Sequence, residues 1–137
     1  MKPTLAPGLA TTREFAVDRE RTIDFMGEDA RVYATPMLVR DIEVTCRELL
    51  LGHLEPGEDS VGTRVEIDHL AATLLGMKVS ITATLAELKG RAVVFDVVAT
   101  DGVDTICRGR HARFIANVAQ VKERLKQKQA KAFAKTA

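Results

Sequence analysis

Apolar residues recur every three or four positions between residues 36 and 51, and every second position over most of residues 61–117. The first period is typical of an amphipathic helix, and the second of strands in an antiparallel sheet. Pro36 suits the first turn of a helix, Gly52 suits its end, and the Thr35 hydroxyl is placed to cap it. The pattern therefore predicts a helix over about residues 36–51, followed by a sheet.

The alternating region divides into four predicted strands that are separated by turn residues. Three of them span about residues 61–72, 77–88 and 103–117, and one includes residues 93–99. In the first strand the odd positions, among them His69, face one way, while Gly62 faces the other. Gly109 interrupts the last strand and is interpreted as a bulge. Residues 10–17 are predicted to form an edge strand before the helix.

One helix that is preceded by a strand and followed by four antiparallel strands can bury its apolar side only by lying across a curved sheet. The predicted fold is therefore of the α+β class with the hot-dog architecture, in which a five- to six-stranded antiparallel sheet wraps one long central helix. Residues 119–137 are expected to form an extra basic C-terminal helix or tail, and residues 1–8 a loosely held arm. Open sheet edges favour a homodimer that forms by edge pairing.

Length and composition favour a single domain over residues 1–137, with 46% hydrophobic residues available for one core. A net charge of +1 does not favour nucleic acid or a membrane as the main partner, and the basic C-terminal segment is interpreted as solvated rather than RNA-binding. The chain has no apolar run suited to secretion or to a membrane span, which predicts a cytoplasmic protein. Cys46 and Cys107 lack companions at metal-binding spacing, so we expect reduced core cysteines and no metal site.

Two polar residues occupy positions where the periodicity predicts apolar ones. Glu43 falls within the apolar stripe of the helix, whereas Asp41 falls on its polar side, and His69 lies on the apolar face of a strand. Each alone is consistent with a satisfied core residue. Together with Thr35 they suggest a site for a thioester, in which first-turn amides and the Thr35 hydroxyl stabilise the developing oxyanion.

Several motifs lie around these residues. They are Val32-Tyr33-Ala34-Thr35 leading to Glu43, Leu54-Glu55-Pro56-Gly57-Glu58 with Ser60 and Gly62-Thr63, His69 followed by Ala71-Ala72-Thr73, and Asp101-Gly102-Val103-Asp104 with Gly109, His111 and Arg113. Together they resemble the fluoroacetyl-CoA thioesterase group of hot-dog proteins over roughly residues 30–116.

The resemblance implies hydrolysis of an acyl-CoA thioester, without a cofactor because coenzyme A is part of the substrate. Thr35, Glu43 and His69 match the catalytic residues of the group, and Gly62 matches a glycine near the substrate. Arg113 matches an arginine of the group, and either a substrate contact or a strand-end salt bridge is consistent with its position. Glu43 is expected to act as a base toward water or as the nucleophile, while His69 and Thr35 orient the thioester.

The sequence departs from the resemblance just before Thr35. Fluoroacetyl-selective relatives carry a phenylalanine-rich stretch there, whereas this chain has Met26-Gly27-Glu28-Asp29-Ala30-Arg31 with Phe25 alone nearby. We therefore expect a short or compact acyl group without assigning fluoroacetyl. Two alternatives remain: a non-catalytic acyl-CoA-binding or sensing module, and an enoyl hydratase. The hydratase is disfavoured because Asp68 faces away from His69.

Overall fold

A computed structural model describes residues 1–134, so Lys135 of the predicted basic tail lies outside the described residues. The strands are β1 (Ala10–Ala16), β2 (Thr22–Ile23), β3 (Val32–Tyr33), β4 (Glu58–His69), β5 (Lys78–Lys89), β6 (Ala92–Thr100) and β7 (Thr105–Asn117), and the helices are α1 (Thr35–Leu51) and α2 (Val118–Ala132). A single 3-10 turn, Glu28–Ala30, precedes β3.

Five strands form one antiparallel sheet in the order β1-β5-β6-β7-β4, and β2 and β3 form a separate small pair. Helix α1 lies against the sheet through Leu38, Ile42 and Cys46, which are completely buried. The inward residues of β5 and β6 are buried at every second position, as their alternation predicts. This arrangement confirms the predicted hot-dog architecture.

Strand β4 departs from simple alternation because it contains a bulge. Its pairing with β7 shifts between Gly62 and Arg64, so Thr63 is an extra residue in the strand. Gly62 pairs with Arg113 and His69 pairs with Cys107, two inward positions of β7. Placing Gly62 opposite to His69 was therefore wrong, because the bulge brings both residues to the inner face.

Gly109 is not a bulge but a point of close approach between strands. It pairs with Ile67 on one side and Val97 on the other without a shift of register. A Cβ atom at this position would lie 2.2 Å from the Glu66 carbonyl oxygen. The strand needs glycine there because the backbone of β4 occupies the space of a side chain.

The predicted loose arm, residues 1–8, is docked on the fold. Leu5 is 6% exposed and belongs to the hydrophobic core. The Lys2 N–H donates to the His53 carbonyl at 2.9 Å, and the Gly8 N–H donates to Leu85 at 2.8 Å. The buried leucine and the two backbone hydrogen bonds stabilise this segment on the fold. Its two prolines and one glycine had predicted a loose arm.

The buried carboxylate of α1 is Asp41, not Glu43. Asp41 is 1% exposed, accepts a hydrogen bond from the Tyr33 hydroxyl, and lies 2.9 Å from Arg21 Nε. The side chain of Glu43 is 44% exposed. Arg21 and Tyr33 come from the segment before the helix, which covers the side that the periodicity assigned to solvent.

Helix α2 begins after Asn117, whose side-chain oxygen accepts a hydrogen bond from the Gln120 N–H at 3.1 Å. All of its residues are at least partly exposed, consistent with the predicted surface helix. Within the part of the chain that the structure describes, no helix has the length and apolarity that crossing a membrane requires.

Candidate active site

Thr35 is the first residue of α1, and its side chain contacts β4 instead of capping the helix. Its Oγ1 lies 2.8 Å from Nδ1 of His69, the last residue of β4. Ala34 occupies the capping position, and within residues 1–134 no side chain caps the helix. The predicted capping role was therefore wrong, because the hydroxyl is paired with an imidazole.

The first turn of α1 also presents a backbone donor beside this hydroxyl. The N–H groups of Met37 and Leu38 both reach the Ala34 carbonyl at 3.0 Å, and Pro36 has no N–H. Among the described residues, the Thr35 N–H has no backbone acceptor. An amide and a hydroxyl of one residue thus stand at the positive end of the helix dipole, where an oxyanion is stabilised.

His69 borders an open cleft of about 320 Å³. The cleft is lined by Ile23, Val32, Tyr33, Thr35, His69, Leu70, Ala71 and Ala72. The Tyr33 ring packs edge-to-face against the imidazole with 6.3 Å between centroids. Burial lowers the pKa of His69, which favours the neutral ring. Its Nε2 is buried and has no hydrogen-bond partner among the described residues.

Glu43 lies two turns further along α1, next to Gly62 and Arg113. Its Oε2 is 3.4 Å from a terminal nitrogen of Arg113. A Cβ atom on Gly62 would lie 3.3 Å from the same oxygen, so the carboxylate rests against bare backbone. Glu43 therefore combines a half-exposed carboxylate with a fixed positive neighbour.

Arg113 is only 4% exposed and is held from several sides. Its Nε donates to the Ser60 hydroxyl at 2.7 Å, and one terminal nitrogen donates to the Ser60 carbonyl at 2.9 Å. The other terminal nitrogen lies 3.1 Å from Nε2 of His111, a side chain that is 1% exposed. A guanidinium this buried and saturated is not arranged to bind a solvent-side substrate directly.

The five predicted site residues form two groups within one chain. Thr35 and His69 make one pair, and Glu43, Gly62 and Arg113 make the other. Eight residues separate Thr35 from Glu43 in the sequence, which is about 12 Å along the helix axis. No hydrogen bond links the two groups in the described part of the chain.

Sequence reasoning gave no role to His111 or Ser60, which complete the second group. The alternation of β7 does place His111 and Arg113 on one face, since they are two residues apart. That signal was available in the sequence. Ser60 could not be found in this way because the bulge at Thr63 changes which residues of β4 face inward.

Residues 17–119 match the family described as fluoroacetyl-CoA-specific thioesterase. The chain belongs to this family. A fluoroacetyl-CoA thioesterase from Streptantibioticus cattleyicolor is 33% identical over 135 residues, which cover 93% of this chain and 97% of that protein. The resemblance inferred from the motifs is confirmed, and the family assignment makes the chain a thioester hydrolase.

Solved structures of this family and its superfamily share the fold over nearly the whole chain. A crystal structure of a variant of the fluoroacetyl-CoA-specific thioesterase matches with a TM-score of 0.86 and 33% identity, covering 93% of this chain and 99% of that one. A thioesterase superfamily member from Thermus thermophilus matches with a TM-score of 0.88 and 31% identity, covering 97% of this chain and 99% of that one. The variant thioesterase in complex with fluoroacetate and CoA matches with a TM-score of 0.79 and 33% identity over 85% of this chain and 99% of that one.

Proposed function

We propose that the protein hydrolyses the thioester of an acyl-CoA with a short or compact acyl group, using Thr35, Glu43 and His69. The observation that carries this proposal is the Thr35–His69 pair at 2.8 Å, which joins a helix N-terminus to a neutral imidazole beside an open cleft. If His69 Nδ1–H donates to Thr35 Oγ1, the Thr35 hydroxyl hydrogen and the first-turn amide are both free to donate to a thioester carbonyl oxygen. The non-catalytic alternative has no such observation in its favour.

In the proposed reaction, Glu43 removes a proton from water as the water oxygen bonds to the thioester carbon. The Thr35 hydroxyl and N–H stabilise the negative charge that develops on the carbonyl oxygen. Collapse of this intermediate breaks the carbon–sulfur bond, and the proton from Glu43 passes to the departing CoA thiolate. Arg113, 3.4 Å from the Glu43 carboxylate, holds this group in place for the step.

The cleft next to Thr35 indicates the kind of acyl group. With the His69 imidazole neutral, its lining carries no charged side chain, and Ile23, Val32 and Leu70 supply apolar surface. Tyr33 is the aromatic residue in its lining, whereas Phe25 is 86% exposed and does not line the cleft. We therefore expect hydrocarbon acyl groups to be better substrates than carboxylated ones such as succinyl.

The test is release of free CoA thiol from a panel of acetyl-, fluoroacetyl-, butyryl-, isobutyryl-, benzoyl- and succinyl-CoA. Glu43→Gln and His69→Ala should each lower kcat/KM by about a hundredfold or more. Glu48→Gln and His53→Ala are matched controls, because Glu48 is exposed on the same helix and His53 lies outside the cleft. Wild-type activity in both site variants would refute the assignment, and an inactive wild type would refute the function.

The protein is proposed to act as a homodimer that pairs through β4. This strand of 12 residues is an edge strand of the sheet. Its apolar residues Val61 and Val65 are 46% and 37% exposed. Antiparallel pairing of two β4 strands around an axis near Val65 would set His69 opposite to Gly62 of the second copy. Such a dimer would join the Thr35 group of one copy to the Glu43 group of the other.

Mixing two inactive variants tests this arrangement. If sites are shared, a dimer of one Glu43→Gln chain and one His69→Ala chain has one fully intact site, and activity should return on mixing after mild denaturation. If each chain holds its own complete site, mixing should recover nothing. Light scattering on the wild type measures the assembly itself, and a monomer would refute the dimer.

A cytoplasmic location is also proposed. Cys46 and Cys107 are both free and buried, and burial raises the pKa of these thiols to about 12 and about 11. Unpaired cysteines suit a reducing compartment, which is also where acyl-CoA substrates are available. Fractionation of expressing cells with an antibody to the protein tests the location, and enrichment outside the cytoplasm would overturn it.

A further inference from the structure

We propose that His111 is a positioning residue that acts on Glu43 through Arg113. This inference rests on the proposed function, because it takes Glu43 as the catalytic carboxylate. His111 Nε2 lies 3.1 Å from a terminal nitrogen of Arg113, and the same nitrogen lies 3.4 Å from Glu43 Oε2. One guanidinium nitrogen therefore connects the imidazole to the carboxylate.

The contacts of His111 define which of its nitrogens carries the proton. Arg113 can only donate, so His111 Nε2 must accept and cannot carry a proton. His111 Nδ1 then donates to the Arg64 carbonyl oxygen at 2.8 Å. The ring is thus the neutral Nδ1–H tautomer. Burial, with a smaller contribution from Arg113, lowers the pKa of His111 and supports the same state.

The bulge in β4 supplies the acceptor that orients the ring. Arg64 is the residue at which pairing with β7 resumes after the bulge, and its carbonyl faces His111. Bulges redirect backbone groups that regular pairing would use within the sheet. Gly62, just before the bulge, leaves room for the ring, since a Cβ there would lie 3.2 Å from His111 Cε1.

Ser60 and His111 hold the planar guanidinium of Arg113 from two sides. Ser60 accepts from Nε and from one terminal nitrogen, and His111 accepts from the other terminal nitrogen, the one that faces Glu43. In the described structure Glu43 is the carboxylate that pairs with this buried charge. Loss of the His111 acceptor would leave an N–H of this buried group unpaired, and the whole rigid guanidinium would turn toward another acceptor, which displaces the nitrogen that faces Glu43.

The test compares His111→Leu with His111→Gln. Leucine removes both hydrogen bonds, while glutamine offers an amide donor for Arg64 and an amide oxygen for Arg113. We expect His111→Leu to lower kcat about tenfold or more with a smaller change in KM, because misplaced catalytic groups act on the chemical step. The acid limb of its kcat/KM profile should also move to higher pH, and glutamine should restore most of both. Unchanged kcat and an unchanged pH profile in folded His111→Leu would overturn the inference.

A matched control separates positioning from stability. Val97→Ala removes a buried side chain from the neighbouring strand β6 without touching Arg113. It should lower the melting temperature and leave the pH profile in place. A shift of the profile in Val97→Ala equal to that in His111→Leu would also overturn the inference.

Nitrogen-15 NMR of the wild type tests the geometry even if the leucine variant does not fold. The chain has three histidines, and His53→Ala and His69→Ala assign their signals. His111 should show the Nδ1–H tautomer at pH 7, and an imidazolium or the opposite tautomer would refute the contacts. This readout needs no substrate. Failure of the proposed function appears as an inactive wild type, whereas failure of this inference alone leaves activity that Glu43→Gln abolishes and His111→Leu does not change.

Discussion

Replacing Asp41 by alanine should unfold the protein far more readily than replacing its exposed counterpart Asp18. Both carboxylates pair with Arg21, at 2.9 Å in each case. Asp41 is 1% exposed, while the Asp18 side chain is 50% exposed. The two variants therefore compare a buried ion pair with a solvated one on the same guanidinium.

The magnitude follows from the groups that Asp41→Ala leaves without partners. The Tyr33 hydroxyl loses its acceptor while buried, which costs about 1–3 kcal/mol. Arg21, whose side chain is 15% exposed, loses two charge-assisted bonds but keeps Asp18. Adding these effects gives a loss of about 3–4 kcal/mol, close to the usual cost of breaking a buried pair. Asp18→Ala should cost about 1 kcal/mol or less.

Urea denaturation at pH 7 measures both values. With a slope of about 1.5 kcal/mol per molar, Asp41→Ala should lower the midpoint by about 2 M. The double variant Tyr33→Phe/Asp41→Leu should recover part of the loss, because it removes the buried hydroxyl that Asp41→Ala leaves unpaired while Arg21 keeps Asp18. If Asp41→Ala loses no more stability than Asp18→Ala, the account of α1 as a helix with a buried, paired carboxylate is refuted.

Two further predictions concern the site. Gly62→Ala should lower kcat, because its Cβ would lie 3.2–3.4 Å from atoms of Glu43 and His111 and displace these side chains. Small movements of the two side chains relieve these contacts, so the melting temperature should change little. Unchanged kcat in a thiol-release assay would contradict this. Stability should fall as the pH drops below about 6.5, because burial lowers the pKa of His69 and His111 in the folded state and the unfolded chain binds protons more readily. Urea midpoints at pH 7 and pH 5 measure the effect, and removing both histidines should reduce it.

Periodicity predicted most of the fold because the core depends on it directly. The presence of the helix, the buried alternation of β5 and β6, and the inward position of His69 follow from periods of 3.6 and 2, which are properties of regular backbone. The prediction for β4 was wrong at its bulge, where the regular backbone is interrupted. Gly62 was placed on the opposite face because an extra residue in β4 leaves no mark in the hydrophobic pattern.

The burial of carboxylates could not be predicted from the helix alone. Glu43 lies in the apolar stripe by position, yet its carboxylate is half-exposed and paired with Arg113. Asp41 lies on the polar side, yet Arg21 and Tyr33 cover it. The segments outside a helix decide which of its sides is covered, and the periodicity within the helix carries no information about those segments.

The candidate site lies where the backbone departs from its regular patterns, and this has a physical reason. Because Ala34 occupies the capping position, the hydroxyl of Thr35 is not used by the helix backbone, and a regular strand would commit the Arg64 carbonyl to its ladder. In this chain the hydroxyl pairs with His69, and the carbonyl orients His111. Polar groups can bind ligands or orient catalytic side chains when they are not used in the hydrogen bonds of a helix or a sheet. The strand bulge and the uncapped helix start supply such groups in this chain.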